Sequence, residues 1–231
     1  MDNLTLVIVP GMDGTGVFLD GLVSELGDFC EITVVRYPPD RPLGYDELVS
    51  VALEFIPEGR AVVLLGESFG GPLALKLANL RAAEVRAVIL VASFARYLKG
   101  RLRSLVPLVR VAPFFAPPAS FLRWLLANGR RFAGDSKLRS TLSSLSANAV
   151  RRRLASVFEI DARGELGALQ VPVLCLRATG DRVVPASAAD EIVATAWLGS
   201  IVDVPGPHFL LQCETQSCAR VIKNFVRRTV G

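Results

Sequence analysis

Short apolar runs at residues 4–9, 32–35, 61–65, 85–92, 171–176 and 200–204 recur along the chain, and several of the stretches between them carry hydrophobic positions at helical spacing. Apolar runs of this length bounded by turn residues read as strands buried on both faces, and the spaced pattern reads as amphipathic helix. Leu48, Val51, Ala52 and Phe55 share one face of a segment that Pro57 stops, and residues 72–80 follow the third run with helical patterning. Ser187 and Asp190 are spaced as a capping box ahead of Ile192. Strand followed by helix, repeated, predicts an α/β fold: a mostly parallel six-stranded sheet flanked by helices. No internal repeat or low-complexity tract interrupts it.

The regularity breaks between residues 94 and 163, where strand patterns vanish and Pro107, Pro113, Pro117 and Pro118 punctuate helix-like pieces. Residues 1–93 and 164–231 are therefore expected to form one core, with 94–163 inserted as a helical segment. Leu102, Leu105, Val106, Phe114, Phe115, Phe121, Trp124, Leu125 and Leu126 give the insertion more apolar side chains than a solvated loop would use.

Candidate chemistry lies at the junction of the third strand and its helix, Gly66-Glu67-Ser68-Phe69-Gly70. A serine in such a sharp strand-to-helix turn tolerates only small residues two before and two after it, and the turn lifts its hydroxyl clear of the sheet. A serine hydroxyl needs a general base, and the chain contains one histidine, His208, in the turn-rich loop Pro205-Gly206-Pro207-His208-Phe209 after the last strand. The base needs an acceptor to fix its tautomer; Asp181, in the loop after the run at 171–176, is the candidate. Asp203 is the rival, but it lies within the last strand, where a side chain points across the sheet rather than beyond its end.

With these residues in place the chain resembles the α/β-hydrolase superfamily, whose catalytic residues follow the order Ser, Asp, His, as Ser68, Asp181 and His208 do here. The resemblance covers nearly the whole chain. It implies an oxyanion hole from the backbone N–H groups of Met12, in Val9-Pro10-Gly11-Met12-Asp13-Gly14-Thr15-Gly16, and of Phe69. Many members open that loop with His-Gly, where this chain has Pro10-Gly11. The antiparallel hairpin that opens many members has no room before the first run. The resemblance also makes 94–163 a cap over the active site and implies hydrolysis of esters of apolar acyl groups through an acyl-enzyme. Thioesterase action, or acyl transfer as in look-alikes with a Gly-Glu-Ser-Phe-Gly turn and a Pro-Gly-x-Asp-Gly loop, is the alternative. An aspartate nucleophile is excluded by serine at position 68, and a binding protein that lost its chemistry is the alternative of another class.

Composition narrows the remaining classes. A dinucleotide fingerprint laid on Gly14 and Gly16 meets Leu19 where glycine is required, and Arg36 rather than an acid follows the second strand, which leaves NADP as the minor alternative; no cofactor is expected. Asp13 is read as a turn residue and Thr15 as an N-cap. Cys30, Cys175, Cys213 and Cys218 lack Cys-x-x-Cys spacing, and with one histidine no metal site is expected; all four are read as reduced thiols of a cytoplasmic protein. No run approaches the roughly 18 apolar residues that span a bilayer, and no leader pattern precedes the first strand.

Charge divides unevenly: residues 94–163 hold 14 basic and 3 acidic side chains, leaving 12 basic and 19 acidic of the 26 and 22 elsewhere. Arg101, Arg103, Arg130, Arg131, Arg151, Arg152 and Arg153 read mostly as solvated helix faces. The excess would also draw an acidic acyl carrier, coenzyme A or an anionic lipid surface to the cap, in a salt-dependent way. Nucleic acid is not expected, since no aromatic-interleaved basic surface accompanies the charge.

Overall fold

The computed structural model describes residues 4–97, 118–132 and 134–230. Its centre is a six-stranded parallel sheet of β1 (Leu4–Val9), β2 (Glu31–Val34), β3 (Ala61–Glu67), β4 (Val85–Val91), β5 (Val173–Ala178) and β6 (Gly199–Val204), in the order β2-β1-β3-β4-β5-β6. The expected α/β architecture, with six parallel strands, is the one observed. Alternation within the apolar runs decides which layer each side chain joins. Leu4, Leu6 and Ile8 of β1 enter one core with α1 (Asp20–Leu26), while Val7 and Val9 enter the other with α2 (Tyr45–Leu53) and α3 (Gly70–Leu80). Both faces are thus covered, which is why the central strands read as continuous apolar runs.

Between β4 and β5 the described residues form α4 (Ala119–Ala127), α5 (Leu138–Ser144), α6 (Ala147–Glu159) and α7 (Arg163–Ala168); α8 (Ala186–Thr195), α9 (Leu210–Cys213) and α10 (Thr215–Thr229) complete the chain. Residues 98–117, including Arg101, Arg103, Leu102, Leu105, Val106, Phe114 and Phe115, lie outside the described residues. The acidic body and the basic segment are stitched together by Arg96–Glu191, Arg130–Glu214, Lys137–Asp20 and Arg152–Glu47 pairs at 2.7, 2.6, 2.9 and 3.2 Å. Part of the cationic excess therefore meets carboxylates of the body across this seam. Each exposed pair contributes little alone.

Two local expectations are corrected. α8 starts at Ala186 with Pro185 in the cap position, and Asp190 bonds Arg177 at 2.8 Å instead of closing a capping box with Ser187. At α2 the N3 acid does reach back, Glu47 Oε2 accepting the Gly44 N–H at 2.9 Å. Thr15 accepts the Val17 N–H at 3.3 Å, but Gly16 holds the cap position of the following 3-10 turn. All four cysteines are free, and among the described residues no helix is long and apolar enough to cross a membrane.

Candidate active site

In a parallel sheet every strand ends on the same edge, so the segments after β1, β3, β5 and β6 meet there, at the reversal of strand order. These segments carry Met12, Ser68, Asp181 and His208. Ser68 adopts a left-handed backbone, φ 50°, a conformation that costs a non-glycine residue about 1–3 kcal/mol. The surroundings hold it there: Ser68 N–H donates to the Val91 carbonyl at 2.9 Å, and the Ser68 carbonyl accepts from Gly71 N–H at 3.1 Å and from Ser93 Oγ at 2.6 Å. The flanking glycines are steric necessities. A Cβ on Gly66 would lie 2.6 Å from Gly71 Cα, and one on Gly70 would lie 2.1 Å from the Val9 carbonyl oxygen.

From this turn Ser68 Oγ lies 2.8 Å from His208 Nε2, across 140 positions of chain, and His208 Nδ1 lies 2.8 Å from Asp181 Oδ2. Asp181 Oδ1 accepts the N–H groups of Val183 and Val184 at 2.7 and 2.9 Å. An acceptor oriented in this way requires Nδ1 to carry the ring proton, which leaves the Nε2 lone pair facing the serine hydroxyl. Both side chains of the His208–Asp181 pair are nearly sealed from solvent, at 4% and 6% exposure. Asp203, the rival acid, bonds Arg177 at 2.7 Å and lies away from this chain of contacts.

The loops bearing the acid and the imidazole are braced against each other and against α4. Gly180 N–H donates to the Gly206 carbonyl at 2.8 Å, Asn128 Nδ2 to the Gly180 carbonyl at 3.0 Å, and Phe209 N–H to the Leu126 carbonyl at 2.8 Å. Phe209 also packs with Phe18 and Phe132, centroids 5.8 and 5.2 Å away, as an apolar wall beside His208.

The loop that carries Met12 runs directly against the elbow, as the Val9–Gly70 approach requires. Its Asp13 accepts the Thr15 N–H at 2.9 Å and the Thr15 hydroxyl as well, the turn role expected for it. Burial raises the Asp13 pKa, with the Thr15 bonds and Arg153 opposing. Phe69 is fully buried, stacked on Tyr45 with centroids 4.5 Å apart, and Tyr45 Oη donates to the Phe69 carbonyl at 3.0 Å.

Two participants are absent from the sequence-based expectations. Glu67, one residue before the serine, is buried and accepts from Gln212 Nε2 of α9 at 2.8 Å, while Gln212 Oε1 has no partner among the described residues. Burial pushes the Glu67 carboxyl up to about 7, against the opposing effect of the Gln212 bond. Arg153 of α6, expected on a solvated face, is fully buried. The only signal for Glu67 was its position in the elbow motif. For Arg153 it was its place four residues after the buried Ala149, on the inward face of α6, next to two arginines that do reach solvent.

A family model described as the alpha/beta hydrolase family matches residues 6–220, and the chain belongs to that family. Among curated relatives, the chain is 24% identical to the putative carbamate hydrolase RutD of Serratia proteamaculans, over 97% of this chain and 91% of that protein. It is 29% identical to phytyl ester synthase 1, chloroplastic, of Arabidopsis thaliana over 48% of this chain, spanning 17% of that protein's length, and it spans 10% of the polyketide synthase ThaQ of Burkholderia thailandensis. Among solved structures, an esterase from Exiguobacterium antarcticum superimposes with a TM-score of 0.81 at 15% identity, over 98% of this chain and 92% of that one. A hydrolase from Pseudomonas aeruginosa PA01 does so with a TM-score of 0.78 at 20% identity, over 99% and 90%.

Proposed function

We propose that the protein is a serine hydrolase that cleaves carboxylic esters of apolar acyl groups. The observation that carries this reading is the unbroken chain from Ser68 Oγ through His208 to Asp181, two contacts of 2.8 Å set on a strained turn. Ser68 Oγ attacks the ester carbonyl as His208 Nε2 takes its proton, and Asp181 stabilises the resulting imidazolium. The oxyanion forms against the backbone N–H groups of Met12 and Phe69. His208 returns the proton to the departing alcohol, leaving Ser68 acylated. Water then gives up a proton to His208, attacks the acyl carbonyl and releases the acid, and Ser68 recovers its hydrogen. The aromatic wall of Phe18, Phe132 and Phe209 supports an apolar acyl group, and the segment between β4 and β5 acts as the cap that limits water.

Ser68→Ala tests the proposal. Turnover of p-nitrophenyl esters should fall by at least 1,000-fold, and a fluorophosphonate probe should label wild-type Ser68 alone, as read by mass spectrometry. Undiminished turnover by the variant refutes the mechanism. Folded wild-type protein that resists the probe favours a ligand-binding relative that has lost its chemistry. A second reading has its own support, in the likeness to a phytyl ester synthase: the same acyl-enzyme would pass its acyl group to an alcohol, or take it from a thioester of coenzyme A or an acidic carrier drawn to the basic segment. Adding a long-chain alcohol to the assay decides between water and alcohol as acceptor by the ratio of acid to ester formed.

A further inference from the structure

Arg153 spends a full positive charge inside the protein, and its bonding explains where the charge is used. Nη1 donates to the Met12 carbonyl at 3.0 Å and to the Asp13 carbonyl at 3.1 Å, and Nη2 donates to the Pro38 carbonyl at 2.7 Å. The guanidinium also lies 5.4 Å from the ring centroid of Tyr37, whose hydroxyl donates to the Pro10 carbonyl at 2.9 Å. One side chain on α6, about 140 residues away in sequence, thus gathers the main chain of the loop facing the serine.

The chemistry of those acceptors is the informative part. A buried arginine is commonly neutralised by a bidentate carboxylate, whereas here the hydrogen bonds go to backbone carbonyls, the Asp13 carboxyl acts on the guanidinium only through space, and Nε has no partner among the described residues. Carbonyls gathered by a rigid planar fork cannot rotate independently. The Met12 carbonyl fixes the peptide plane after Met12, and the plane that carries the Met12 N–H is held by its Gly11 carbonyl, which accepts from Gly14 N–H at 3.1 Å, so with both planes tied the Met12 N–H cannot swing on its own. The same cation sits behind a loop whose front faces the carbonyl under attack, where a water-excluded environment strengthens its pull on developing negative charge.

We infer that Arg153 is a positioning residue for the oxyanion loop: through the Met12 and Asp13 carbonyls, the segment between β4 and β5 sets the aim of the Met12 N–H and so the stabilisation of the transition state. This inference rests on the serine-hydrolase reading above. It makes that segment part of the catalytic apparatus rather than a cover alone. A merely structural Arg153 would tie α6 to the body and leave the chemistry of folded molecules unchanged.

The test compares Arg153→Met and Arg153→Lys with wild type on a p-nitrophenyl ester, with functional sites counted by fluorophosphonate labelling. For Arg153→Met, kcat per labelled site should fall about 100-fold, the scale of one misplaced oxyanion donor, with KM within about twofold. Arg153→Lys keeps the charge but cannot reach three carbonyls, so it should recover part of the loss. A boronic acid that mimics the tetrahedral intermediate should bind more weakly in proportion to the loss in kcat/KM. If the methionine variant does not fold, the lysine variant carries the test, as does rescue of Arg153→Ala by millimolar guanidinium. Arg152→Ala, which removes the neighbouring surface pairs, should leave kcat unchanged. Wild-type kcat per labelled site in either Arg153 variant, or equal weakening of substrate and boronate, overturns the inference. Residual turnover in Ser68→Ala would instead overturn the reading beneath it.

Discussion

Replacing Glu67 by Gln should make the protein more stable, and increasingly so as pH rises. The carboxyl is fully buried and its pKa moves from 4.5 to about 7, chiefly by desolvation, with the neighbouring Asp13 pushing the same way and Gln212, His208 and Gly11 opposing. For an acid raised on folding, the native state binds the proton more tightly than the unfolded chain, so stability falls as pH rises from about 4.5 and levels off above about 7. At ~1.4 kcal/mol per pH unit the full effect is about 3 kcal/mol. Most of it, about 2–3 kcal/mol, develops between pH 5 and 8. Glutamine removes the titration and keeps the shape. Gln212 can also turn its amide, so that its unpartnered Oε1 accepts from the new side chain. Urea unfolding of both proteins at pH 5, 6, 7 and 8 reads the result: the stability of Glu67→Gln minus that of wild type should grow with pH by about 2–3 kcal/mol. A difference that stays flat across this range would refute the argument that the carboxyl pays a burial penalty when ionised.

Gly70→Ala should lose about 1–3 kcal/mol in urea unfolding and most of its turnover, because its Cβ would meet the main-chain oxygens of Val9 and Pro10 at 2.1 and 2.6 Å and neither can yield freely. Asn128→Gly retains access to the left-handed backbone, φ 53°, but deletes the bond to Gly180; a melting temperature about 2–4 °C lower would match the loss of about 1 kcal/mol, and an unchanged melt would show that the brace contributes nothing. Asp203→Asn should leave kcat at the wild-type value, since Asp203 serves only the Arg177 cluster; a large loss would reassign the acid. Burial pushes Cys175 and Cys218 up to about 12, so under native conditions at pH 8 a thiol reagent should modify half-buried Cys213 alone, and the other three only after unfolding; fast labelling of Cys175 would contradict the packing.

Elements whose cause is local were readable in the chain. The apolar runs specify the strands, and the Gly66-Glu67-Ser68-Phe69-Gly70 turn specifies the elbow, because each constraint acts between residues a few positions apart. His208 was readable for a different reason: there is one histidine, and its loop follows a strand. What escaped was everything set by distant partners. Nothing within reach of Glu67 in sequence announces Gln212, 145 positions away, and only helical spacing from Ala149 separates Arg153 from Arg151 and Arg152. Only the register of α6 against the loop at 12–13 turns the third arginine inward. Ser93 is a further case, its hydroxyl lying under the elbow only because β4 pairs with β3 so that Val91 sits opposite Glu67. The misplaced capping box at Ser187 shows the reverse error, a local pattern overruled when Asp190 found Arg177 on β5.

The end of α4 has a bearing on how substrate gets in. Leu126 and Asn128 are fastened to the loops that carry His208 and Asp181, and Arg182 donates to the Trp124 carbonyl at 3.1 Å while its guanidinium lies 4.6 Å from that indole. Swinging the whole helix outward would rupture these ties and disarm the base at the moment of entry. On the proposed ester-hydrolase reading, the inexpensive way to admit an apolar acyl group is for α4 to bend ahead of Trp124, keeping residues 124–128 as a fixed doorpost while residues 119–123 yield.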